Sequence, residues 1–176
     1  MLRLRGPVAE NPAMNELVIR PAKASDAEQI AQILQPVLQA GGTYALPRDW
    51  SSDETIAYWL AADKNSLVAT LNDEIVGTYY LKTNQMGGGS HVCNCGYVVA
   101  QQSGGKGIAA AMCRHSLRLA REMGYQAMQF NFVVSTNEHA IRLWRRLGFE
   151  EVGRLPGAFQ HPELGQVDAL VMYQRL

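Results

Sequence analysis

The sequence carries no surplus of charge of either sign: sixteen Lys and Arg stand against sixteen Asp and Glu, and the formal net charge is zero. Nucleic-acid affinity rests on phosphate contacts and calls for a basic excess, so this balance argues against a nucleic-acid partner. There is no acidic tail and no polybasic patch of the kind that meets a membrane surface. Cysteine is scarce, with only Cys93, Cys95 and Cys113. No CxxC pair occurs and the four histidines are scattered, so no metal site is expected. Cys93 and Cys95 sit two apart in a run that reads as extended, a poor geometry for a bridge. Reduced thiols in a cytoplasmic protein are the expectation. Also missing is any run of about 18 apolar residues, which excludes a membrane-spanning helix, and any internal repeat. The opening MLRLRGPVAENPAMN has arginines with no apolar run behind them. Residues 1–16 therefore read as a loose leader rather than a signal peptide or anchor, and 17–176 as a single domain.

What is present is a 47% apolar composition, enough for a real core. Leu17–Arg20 reads as a short strand ended by Pro21. Ser25-Asp26-Ala27-Glu28 has capping-box spacing and precedes Ile30, Ile33, Leu34, Val37 and Leu38 at helical intervals. A second box, Ser51 to Glu54, opens a helix to about Ala62. Ser66–Leu71 and Ile75–Lys82 flank the polar turn Asn72-Asp73-Glu74 and predict a hairpin. Met86–Ser90 reads as a flexible glycine-rich loop, and Val92–Ala100 as a strand. A helix follows from Gly107 to Met123, stopped by Gly124. Met128–Ser135 reads as a strand. A third capping box, Ser135 to Glu138, opens a helix to Leu147. Phe149–Gly153 is then a strand, a Pro- and Gly-rich loop follows, and Val167–Arg175 closes the fold. The order β-α-α-β-β-β-α-β-α-β-β mixes hairpins with crossover helices, which is an α+β class with a mixed sheet.

The chemistry starts at the corner Gly104-Gly105-Lys106-Gly107-Ile108-Ala109, between a strand and a helix. Glycines there let the backbone approach a ligand closely. The helix start offers unpaired N–H groups and the positive end of its dipole, a match for a pyrophosphate. A P-loop would need Ser or Thr directly after Lys106, where Gly107 stands. The dinucleotide fingerprint fits Gly105-x-Gly107-x-x-Ala110 on paper, but belongs to a first βαβ unit, whereas this turn follows the fourth strand.

The corner resembles the acyl-CoA turn of the GCN5-related N-acetyltransferases, usually Q/R-x-x-G-x-G/A after a strand ending in Val. Val98-Val99 precede it here; Lys106, Gly107, Ile108 and Ala109 match in register, and Gly104 stands where the family has Arg or Gln. About thirty residues further on, the family's second signature reads VVSTNEHAIRLWRRLGF, Val133 to Phe149. The resemblance covers roughly residues 17–176. It implies a mostly antiparallel sheet of six to seven strands flanked by about four helices. It implies acetyl-CoA as co-substrate, without a metal. Val98, Val99, Gly104 to Ala109, Asn137 and Trp144 are the residues expected to hold it. In the family, Asn137's counterpart lies near the pantetheine arm; an ordinary helix cap is the other reading. Trp144 occupies a position where many members carry a Tyr that protonates the departing thiolate. An indole N–H can donate a hydrogen bond but cannot act as an acid near neutral pH, and Trp144 reads equally as a core aromatic.

By the same resemblance, a neutral amine attacks the acetyl carbonyl directly, with backbone N–H groups near Val98–Ala100 polarising it. A Glu often precedes the glycine turn as general base; His91-Val92-Cys93-Asn94-Cys95-Gly96 contains no carboxylate, and no base is assigned. Asn94 and Asn131 are unexpected in apolar strands, and read either as acceptor ligands or as amides bonded to a neighbouring backbone. The C-terminal third resembles a subgroup that includes yeast acetyltransferases acting on azetidine-2-carboxylate. This implies a small-molecule amine acceptor such as an amino acid. The alternatives are a protein or peptide amine and a non-catalytic CoA-binding or sensing domain. Exchange of late strands, common in such folds, allows a homodimer.

Overall fold

The computed structural model describes residues 17–176, so the expected leader lies outside the described residues. Strand β1, Val18–Pro21, includes the proline that was expected to end it. Helix α1, Ala27–Ala40, is preceded by a 3-10 turn over Ala24–Asp26. The Ser25/Glu28 box is not what starts it. Asp26 reaches back instead, accepting the Lys23 N–H at 2.7 Å and pairing with Arg20 at 2.7 Å. A doubly bonded carboxylate outcompetes a serine hydroxyl for this corner. Ile30, Ile33, Leu34 and Leu38 are buried, as the periodicity requires. Helix α2, Ser52–Trp59, does use its box, with Ser51 Oγ accepting from Glu54 N and Glu54 Oε2 from Ser51 N. It stops short of Ala62 with Trp59 buried, its Nε1 donating to Thr78 Oγ1 at 2.9 Å.

Strands β2, Asn65–Leu71, and β3, Glu74–Thr83, form the expected hairpin. Both turn residues, Asn72 and Asp73, take positive φ (49° and 66°), which matches the strands' twist and suits Asn and Asp. Then come β4, Val92–Val99, helix α3, Ile108–Glu122, and β5, Ala127–Val134. Helix α4, Glu138–Arg146, leads to β6, Glu150–His161, and β7, Gly165–Arg175. Among the described residues seven strands make one sheet in the order β1-β2-β3-β4-β5-β7-β6, with β4 and β5 its only parallel neighbours. The α+β class, the strand number and the helix number are as the sequence implies. One buried cluster packs α3 and α4 on one face of the sheet; a second packs α1 and α2 on the other.

Three further local expectations are corrected. The cap of α4 is Asn137, whose Oδ1 accepts from Ala140 N at 3.3 Å, not Ser135. Ser135 is still tied to the sheet, its N–H donating to Asp168 O. The Pro- and Gly-rich stretch after Gly153 is strand rather than loop: β6 runs through Pro156 to His161 with an irregular register between Leu155 and Phe159. It is an edge strand, where a proline's missing N–H costs no ladder bond. Within Met86–Ser90, Gly87–Gly89 forms a 3-10 turn. All three cysteines are free and buried. Among the described residues no helix is long and apolar enough to cross a membrane, and no group of three His, Cys, Asp or Glu could hold a metal.

Candidate active site

The site begins where two strands part. Parallel pairing of β4 with β5 covers only Val92↔Ala127, Cys93↔Met128 and Asn94↔Gln129. At the last rung the Asn94 side chain takes over, its Nδ2 donating to Gln129 O at 2.9 Å. Just beyond, β5 gains an extra residue against β7 between Phe130 and Val133. Such a bulge bends its strand. Past Asn94, β4 is paired with β3 alone.

Two bonds fix which way the freed backbone of β4 points. Asn84 N donates to Val92 O and Ala100 N to Val76 O, each at 2.9 Å. Antiparallel pairing alternates, so even-numbered residues of β4 exchange bonds with β3 and odd-numbered ones turn outward. Of the N–H groups near Val98–Ala100, that of Ala100 is spent on Val76, that of Val98 faces β3, and that of Val99 faces the gap. The Tyr97 carbonyl faces it too, and accepts from Tyr44 Oη at 2.9 Å.

A cavity of about 520 Å³ occupies this gap. Its walls come from both faces of the sheet: Ala109, Asn137 and Trp144 on the α3/α4 side, and Tyr44, Tyr58, Tyr80 and Lys82 on the other. The cavity therefore passes through the sheet. Val98, Val99, Asn94 and Asn131 line it as well. Asn94 is buried and its amide bonded to a neighbouring backbone; Asn131 is exposed in the β5 bulge, its amide shared between Asn84 and Gln129. The bulge explains an Asn in that strand.

Gly104, Gly105, Lys106 and Gly107 do not line the cavity; they form the exposed corner just before Ala109, which does. Gly105 and Gly107 hold φ of 75° and 79°, conformations that favour glycine. The first bond of α3 is Ala111 N to Gly107 O at 3.0 Å. Among the described residues nothing accepts from the N–H groups of Gly105 through Ala110. A Cβ built on Gly105 would meet nothing within 4 Å, so the corner is open. This fits a pyrophosphate. Ile108 is 1% exposed, its side chain packed in the core rather than lining the cavity.

Trp144 is buried against Tyr97 and Phe130, with ring centroids 5.1 and 5.2 Å apart, and still lines the cavity. Trp144 is thus a core aromatic that also forms part of the cavity wall. Among the described residues its indole N–H has no partner, and neither does Asn137 Nδ2. Asn137 thus caps α4 with its oxygen and keeps its nitrogen free. Cys95 lines the cavity, but burial pushes its thiol well above the usual range; Cys93 and Cys113 are pushed up to about 12 by the same cause. None supplies a thiolate near neutral pH. No Asp or Glu is among the described lining residues.

The wall of Tyr44, Tyr58, Tyr80 and Lys82 was not anticipated. For Tyr80 and Lys82 a signal existed: period-two alternation along β3 puts both on one face with Thr78. Tyr80 lies against Gly96, where a Cβ would sit 2.8 Å from its ring. Tyr44 comes from an irregular segment and left no pattern.

Comparison with known proteins agrees with this geometry. The family model described as the acetyltransferase (GNAT) family matches residues 27–149. N-acetyltransferase aca1 of Schizosaccharomyces pombe is 36% identical over 103 residues, 55% of this chain; the match spans only 47% of that protein. L-amino acid N-acetyltransferase AaaT of Escherichia coli is 29% identical over 144 residues, 80% of this chain and 86% of that protein. A GCN5-related N-acetyltransferase from Kribbella flavida, of known structure, is 32% identical, covers 93% of this chain and 99% of its own, and superposes with a TM-score of 0.88. The same fold, at 22% identity, a TM-score of 0.80 and coverage of 91% and 94%, occurs in yncA from Salmonella typhimurium, solved with its cofactor acetyl-CoA. Matched by a family model over most of its length and by a solved member over 93% of it, the chain belongs to the acetyltransferase (GNAT) family.

Proposed function

We propose that residues 17–176 act as one domain that transfers the acetyl group of acetyl-CoA directly to the amine of a small molecule, a free amino acid being the first class. The observation that carries this reading is the cavity crossing the sheet at the β4/β5 fork, with open N–H groups beside one mouth and a phenol-lined wall at the other. Acetyl-CoA, when bound, supplies an activated acetyl group whose carbonyl carbon accepts the amine's lone pair while the C–S bond to the CoA thiolate breaks. The N–H groups of Gly105 to Ala110 hold the diphosphate, with Lys106 as a mobile counter-charge. Asn137 Nδ2 donates into the cavity from α4. The Val99 N–H, turned to the gap, is the donor for the thioester oxygen. Trp144 gives the reacting end a fixed aromatic wall and a hydrogen-bond donor, not a proton.

Direct transfer is favoured over a cysteine relay because the one thiol at the cavity, Cys95, is buried and protonated. A thiolate of ordinary thiol acidity, with pKa about 8.5, leaves without much acid help, and the proton released by the amine passes to water. Asn94 and Asn131 stand at the fork as neutral groups beside the acceptor. The name of AaaT, L-amino acid N-acetyltransferase, supports the substrate class. Free, buried thiols fit a cytoplasmic setting.

The test is thiol release from acetyl-CoA by the purified protein with a panel of L-amino acids, polyamines and peptides. Amine-dependent release with free amino acids is expected. CoA binding without release for any amine would overturn the proposal in favour of a sensing domain.

A further inference from the structure

We propose that Lys82 is the residue that selects the acceptor, by pairing with a carboxylate that the acceptor carries beside its amine. This inference rests on the acetyltransferase reading above. Lys82 contributes the only ammonium or guanidinium among the described lining residues, and no carboxylate lines the cavity with it. It stands directly opposite Asn94 in the β3·β4 ladder, as a bonded pair with Cα atoms about 5.5 Å apart. Asn94 marks the rung at which the strands part. The ammonium of Lys82 is therefore tethered beside the fork on the α1/α2 side, opposite the mouth that the glycine corner serves.

Its charge is only partly matched. Asp63 Oδ2 lies 3.6 Å from Lys82 Nζ, a loose contact. The other oxygen of Asp63 is 3.1 Å from Lys64 Nζ. Lys64 is held in place: its side chain is 4% exposed and its ammonium lies 4.2 Å from the centroid of the Tyr58 ring. One carboxylate thus serves two ammonium groups, and the closer contact belongs to Lys64. A single positive charge is left over at the acceptor wall, and the Lys82 side chain, 28% exposed, remains accessible. A carboxylate neutralises it, whereas a second cationic group on the acceptor is repelled. An α-amino acid satisfies both ends at once: its carboxylate on Lys82 sets the amine, one carbon away, at the fork. Polyamines and amino acid amides lack the group that Lys82 reads.

The experiment compares kcat/KM for L-amino acids and for their primary amides, in the wild type, in Lys82→Met and in Lys82→Arg. Loss of a charge-assisted contact predicts that Lys82→Met lowers the acid-to-amide ratio by about 10- to 100-fold, with Lys82→Arg retaining most of it. Using the ratio cancels the different basicities of the two amines. The KM for acetyl-CoA and the circular dichroism spectrum control for folding; if Lys82→Met does not fold, Lys82→Gln takes its place. A ratio unchanged by either neutral variant overturns the role of Lys82 while leaving the acetyltransferase reading intact. Turnover of amides or polyamines but of no free acid also overturns it alone. No turnover of any amine overturns both.

Discussion

Asn94 donates from its side chain to the carbonyl of Gln129 across 2.9 Å, at the last rung of the only parallel pairing in the sheet. A side chain thus ends a ladder that backbone groups began, and the strands separate just past it. Asn94→Ala removes the donor and leaves the Gln129 carbonyl to water, at a cost of about 1 kcal/mol. Asn94→Asp is expected to be worse, because it sets a carboxylate against a carbonyl oxygen. Urea denaturation ranks the three proteins, and kcat/KM for the acceptor should fall in the same order, by about 10-fold or more for the Asp variant, roughly the worth of one hydrogen bond.

Gly96 and Tyr80 form a second relationship at the acceptor wall. A Cβ on Gly96 would stand 2.8 Å from Tyr80 Cε1 and 2.9 Å from Cζ, so Gly96→Ala must displace the ring. Overpacking of this kind costs about 1–3 kcal/mol. The ring lines the acceptor side, so the KM for the amine should rise while that for acetyl-CoA stays near its wild-type value. Shortening the opposing side chain in Gly96→Ala/Tyr80→Leu should recover part of the lost stability, a non-additivity expected of residues in contact. Thermal melts of the four proteins in the cycle measure it.

The order of elements and the glycine corner were legible because each rests on local chemistry: periodicity, caps and turns. What failed was decided by tertiary context. Pro156 and Gly157 read as loop, yet an edge strand tolerates both. Ser135 read as a cap, but its N–H is held by Asp168 across the sheet, so the helix starts two residues later at Asn137. At the site, the residues with motif signatures fell beside one cavity or its mouth. Tyr44, Tyr58 and Lys82 are brought there from an irregular segment, α2 and β3, and no spacing in the sequence links them.

Asn137 uses its two side-chain atoms for different tasks. The oxygen caps α4 through Ala140 N, while the nitrogen is free at the cavity. Asn137→Ala loses both, with about 1 kcal/mol of stability and an accompanying rise in the KM for acetyl-CoA. Asn137→Asp keeps an equally good cap and loses only the donor. Its melting temperature should stay close to wild type while the KM for acetyl-CoA rises about as far as in the Ala variant. Equal KM values for Asp and wild type would confine Asn137 to capping.

The proton steps give the last prediction. No carboxylate lines the cavity and Cys95 is held protonated by burial; among the described lining residues His139, exposed in the first turn of α4, alone carries a basic ring. On the direct-attack reading with no protein base, the acceptor arrives unprotonated from solution. The kcat/KM for the acceptor should rise with pH and level off at the acceptor amine's own pKa, moving when amines of different basicity are compared. A break at one fixed pH for all amines would reveal a base in the protein. At the leaving group, Trp144→Phe should lower kcat by less than about 10-fold, since only a hydrogen bond is removed. Trp144→Ala is a different perturbation, because it empties a site packed against Tyr97 and Phe130, and should cost about 3–5 kcal/mol of stability. Cys95→Ser should keep its turnover, as a group that carries no acyl intermediate must. A burst of CoA release without amine, lost in Cys95→Ser, would instead show that the thiol carries the acetyl group.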